Sequence, residues 1–165
     1  MLDIKNKTIG SVFSSAASLW PDSIFFISPG NRSTEKSELS YSGAATKIKS
    51  YENYFSQSGY GYGERIALLL GNSVEHYLVK LAANNLGISV VPLNPDSSKS
   101  EIIYILNDSN SVLLITNKNH SQLASSVKDK LGSSILIVNI EEFSKSLPAS
   151  KTPIQKVVVT HNSEA

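Results

Sequence analysis

This sequence predicts an α/β fold with a mostly parallel sheet flanked by helices. Three observations lead there. Arg65 to Leu70 is a short apolar run ending at Gly71, the mark of a strand buried on both faces. An amphipathic stretch follows, with Val74, Tyr77, Leu78, Leu81 and Ala82 on one stripe and a left-handed stop at Gly87. Ile88 to Val91 then makes a second apolar run. Strand, helix and strand in this order form a βαβ unit, whose right-handed crossover sets the two strands parallel.

The other elements follow in order. Thr8 caps a first helix with Ile9, Val12, Phe13, Ala16 and Leu19 inward, and Trp20-Pro21 ends it. Ile24 to Ile27 is a short strand, Pro29-Gly30-Asn31 a turn, and Arg32 to Ser37 a hairpin loop leading to a brief strand at Glu38-Leu39. Ser40 caps a long helix whose inner face is Tyr41, Ala44, Ala45, Ile48, Tyr51 and Phe55, ended by Gly59. Within the βαβ unit, Asn72 stands three residues before Glu75, the spacing of a capping box. Ser98 and Glu101 repeat that spacing and start a helix to about Asn107. Val112 to Thr116 is a third buried strand, a helix with Leu123, Val127 and Leu131 stops at Gly132, and Ile135 to Val138 is the fourth. The N-terminal strand pair is an addition to the parallel sheet or to its neighbour. Leu147 to Pro153 reads as a linker, and Val157 to Val159 as a further strand with no partner visible in sequence.

Composition excludes several classes. The 165 residues fit one domain, and 41% apolar residues suffice for a core. A formal charge of +1 supplies no field for nucleic acid or anionic lipid. With no cysteine, disulfides and thiolate sites are absent. No apolar run approaches the roughly 20 residues of a membrane span, and no signal peptide is evident. A soluble, cytoplasmic domain is the resulting expectation.

Candidate chemistry is sparse. Gly59-Tyr60-Gly61-Tyr62-Gly63 is glycine-rich, but it follows a helix and precedes a strand. A phosphate loop has the opposite order, so these glycines read as a turn. Gly71-Asn72-Ser73 does lie between a strand and a helix N-terminus, where an anion could sit, yet a helix cap explains it. His76, His120 and His161 share no metal-ligand spacing. His76 is expected to be solvated or edge-packed, and the other two to lie at the surface. Adjacent Glu141 and Glu142 diverge in direction and make no acid–base pair, and Asp108 closes a helix. No catalytic, cofactor-binding or metal-binding residue is assigned.

Several segments resemble the adenylate-forming ligases: the acyl-CoA synthetases, the adenylation domains of peptide synthetases and the luciferases. Leu39-Ser40-Tyr41 is similar to the family's first core motif, and Leu86 to Pro95, ending Val91-Pro92-Leu93-Asn94-Pro95, to its second. Glu101 to Ser109 extends the likeness, which covers roughly residues 8 to 117. The resemblance implies an incomplete N-terminal portion of the ligase large domain, over residues 1–140, with 141–165 leading towards a phosphate-binding loop. It further implies that a longer enzyme uses ATP, Mg²⁺ and CoA to activate a carboxylic acid. These residues alone would then be inactive scaffold, inclined to self-associate through uncovered surface. A non-catalytic interaction module and a peptide-synthetase-type adenylation domain stand as the alternatives.

Overall fold

A computed structural model describes residues 8–29, 36–132 and 135–143. Helix α1 (Ile9–Leu19) is followed by strands β1 (Ile24–Ser28) and β2 (Ser37–Ser40) and the long helix α2 (Tyr41–Gln57). The chain continues through β3 (Arg65–Leu69), α3 (Val74–Asn85), β4 (Ser89–Pro92), α4 (Lys99–Asp108) and β5 (Leu113–Thr116). A 3-10 turn (Lys118–His120), α5 (Ser121–Leu131), β6 (Leu136–Asn139) and the short α6 (Ile140–Phe143) complete it. The Gly30–Glu35 part of the expected hairpin loop, the 147–153 linker, the Val157–Val159 run and His161 lie outside the described residues.

The larger sheet has the order β4-β3-β5-β6, and every neighbouring pair is parallel. Ile66 sits between Val90 on one side and Leu113 on the other. Alternate residues of β3 therefore feed two separate cores. Ile66, Leu68 and Leu70 join Leu113 and Ile115 against Ile48 and Phe55 of α2 and Leu78 and Ala82 of α3. Ala67, Leu69 and Leu114 join Ile102 and Leu106 of α4 and Val127 of α5. With both faces covered, each fully buried Leu or Ile contributes roughly 1.5–3 kcal/mol relative to exposure. The β1–β2 pair is antiparallel and forms a two-stranded sheet of its own.

Local signals account for most element starts. Thr8 Oγ1 accepts the Ser11 amide at 3.2 Å, and Ser40 Oγ the Gly43 amide at 3.2 Å. Ser98 and Glu101 form the reciprocal capping box, at 3.3 Å and 2.7 Å. The cap of α3 differs from expectation. Ser73, not Asn72, is the N-cap, with its Oγ accepting the His76 amide at 3.2 Å. That shift makes Glu75 the second helical residue instead of the third, one position too early to close a box. Its carboxylate lies 3.7 Å from Lys47 Nζ on α2 instead.

The inward faces are also rotated from the expected stripes. On α3 the buried residues are Leu78, Val79, Ala82 and Ala83, while Tyr77 is 47% exposed. The helix packs on the sheet and on α2 together, so its buried arc is wider and turned. On α1 only Gly10, Phe13 and Ala16 are buried; Ile9 is 67% and Leu19 58% exposed. Only the centre of that short helix is covered.

Candidate functional site

In a parallel sheet, loops at the carboxyl ends of the strands diverge where the strand order reverses, and ligands bind in the resulting crevice. Here β4 lies on one side of β3 and β5 on the other, so the reversal falls between β3 and β5. The loops meeting there are Gly71–Ser73 after β3 and Asn117 after β5.

Asn117 organises this end. Its Nδ2 donates to the Leu70 carbonyl at 3.3 Å, and its Oδ1 accepts the His120 amide at 3.1 Å. Gly71 has φ +60°, which a side chain would strain, and a β-carbon there would stand 3.6 Å from His120 Nε2 and 3.7 Å from Pro95 Cγ. From the neighbouring strand, Asn139 Oδ1 accepts the Glu141 amide at 2.9 Å, and Glu141 Oε1 accepts the Lys118 amide at 3.3 Å. The other oxygen, Glu141 Oε2, is buried without a hydrogen-bond partner among the described residues. A crevice of about 280 Å³ results, lined by Leu70, Ser73, Glu75, Asn117, Ile140 and Glu141.

His76 flanks this loop from α3. Its Nδ1 is buried with no well-aligned hydrogen-bond partner among the described residues, and the ring packs against Tyr77 at 5.8 Å between centroids. Burial, and then the charge of Lys80, lower its pKa; the Gly71 backbone pulls the other way. The edge-packed reading of His76 therefore holds. Spacing alone missed that His76 and His120 both approach Gly71 from separate segments. Asn117 and Glu141 were likewise not singled out as neighbours. The one available signal is that each follows an apolar run.

The Gly59–Gly63 stretch lies at the opposite, amino end of β3. The Gly61 amide donates to Glu64 Oε2 at 2.8 Å, as in a closed turn. Among the described residues no group of three or more His, Asp or Glu could hold a metal ion. Of the amides opening α3, that of His76 is occupied by the Ser73 cap, and no cation among the described residues lines the crevice. These residues do not fit an ATP–metal site. They make an acceptor-rich crevice able to orient a donor.

A family model described as AMP-binding enzyme matches residues 13–164. The chain belongs to the AMP-binding enzyme family. Among curated relatives, the L-proline--[L-prolyl-carrier protein] ligase of Pseudomonas fluorescens is 35% identical over 81 residues, 49% of this chain and 16% of that protein. Among solved structures, a Mycobacterium tuberculosis fatty acyl CoA synthetase superposes with a TM-score of 0.75 at 22% identity, over 93% of this chain and 31% of that one. The O-succinylbenzoate coenzyme A synthetase of Bacillus subtilis, in complex with ATP and magnesium ion, gives 0.67 at 21% identity, over 87% of this chain and 36% of that one. The chain thus spans well under half the length of each. These structures carry the fold: the parallel sheet corresponds to N-terminal portions of adenylate-forming ligases. No helix among the described residues is long and apolar enough to cross a membrane.

Proposed function

We propose that this chain is scaffold from an ATP-dependent ligase that activates a carboxylic acid as an acyl-adenylate and passes the acyl group to the thiol of coenzyme A. The carrying observation is a family match spanning residues 13–164, on a chain that covers about a third of the solved synthetases it superposes on. ATP and Mg²⁺ would be held by segments beyond the strands described, the ion between phosphate oxygens. In this reading residues 1–140 belong to the large domain, residues 141–165 lead on to a phosphate-binding loop, and the enzyme works in the cytoplasm. Val91-Pro92-Leu93-Asn94-Pro95 and Tyr104 to Ser109 favour coenzyme A as acceptor.

A carrier-protein thiol is the second reading, and the prolyl-carrier protein ligase relative favours it. The test is ATP–pyrophosphate exchange with a panel of carboxylic acids. The 165-residue chain alone is expected to give no exchange above buffer, and robust exchange would defeat the scaffold assignment. Reading the codons after Ala165 is the companion test: a Ser/Thr-Gly-rich run ending Pro-Lys is expected within about twenty residues. We further propose that the chain on its own associates through the open edges of the β1–β2 pair, since two-stranded sheets are marginal alone. A single sedimenting species of monomer mass across a wide concentration range would refute that.

A further inference from the structure

We draw no further inference here: the strongest candidate, the apolar groove between helices α1 and α3 with Trp20 and Tyr77 exposed at its rim, is an unpartnered surface, and nothing in the structure shows what covers it.

Discussion

Gly10 and Asn85 are in such close contact that a β-carbon on Gly10 would stand 1.6 Å from Asn85 Oδ1. The Asn85 amide is itself held, since its Nδ2 donates to Glu52 Oε1 at 2.7 Å. Helices α1, α3 and α2 are tied at this point. Gly10→Ala should therefore cost about 1–3 kcal/mol, read from denaturant midpoints. Asn85→Ala removes the three atoms nearest to the added methyl. In that background Gly10→Ala should cost much less, and a double-mutant cycle reads the coupling directly.

The cap of α3 makes a prediction that separates two adjacent residues. Ser73→Ala removes the oxygen that accepts the His76 amide and should destabilise by about 1 kcal/mol. Asn72→Ala should stay within roughly 0.5 kcal/mol, as for an exposed surface position. Urea denaturation of both variants is the measurement, and the reverse ranking would contradict the cap geometry.

His76 gives the stability a slope with pH. Its folded pKa is lowered, chiefly by burial, from an ordinary 6.5. The folded state thus binds the proton less readily than the unfolded chain, and stability falls as pH falls. The contribution is fully present above pH 6.5 and is lost as pH drops through the lowered folded value. His76→Asn should flatten the stability profile between neutral and mildly acidic pH. An unchanged slope would mean another group carries it.

Tyr60 acts at the other end of the scale. Burial, with Tyr54 and Glu64 adding to it, pushes this phenol up to about 12 from 10.0. Stability tied to it is complete below pH 10 and is lost as pH rises through about 12. Ultraviolet difference titration should detect Tyr60 ionising late, alongside Tyr54, whose pKa burial also raises, together with alkaline unfolding. Tyr60→Phe should diminish that late step.

The sheet core admits a simpler test. Leu114 is fully buried between β3 and β6 in the α4–α5 layer. Leu114→Ala should cost about 2–5 kcal/mol, measured by thermal or denaturant unfolding.

The elements most legible in sequence were those whose signal is local. The Ser98–Glu101 box and the Gly87 stop depend on neighbouring residues and stand where their spacing places them. The buried runs at Ile66 and Leu113 identified a parallel sheet because apolar residues on both faces need cover on both. What local pattern left open was choice and rotation. Asn72 and Ser73 are both good caps, and only the packed position of α3 decides between them. Ile9 and Leu19 fit the stripe of α1, yet both stand mostly exposed at its two ends. The approach of His76 and His120 to Gly71 arises from tertiary assembly, where strand order joins distant loops. No spacing rule encodes that.

The position of β3 between β4 and β5 bears on how the chain is made. As the polypeptide leaves the ribosome, β4 is the first partner within reach, and β5 follows only after α4. Until then β3, interior in the finished sheet, is temporarily an edge, with Ile66 to Leu68 paired on one side only. Slow synthesis between Pro95 and Leu113 would lengthen that exposed interval and favour clumping of nascent chains, while rapid passage would protect them.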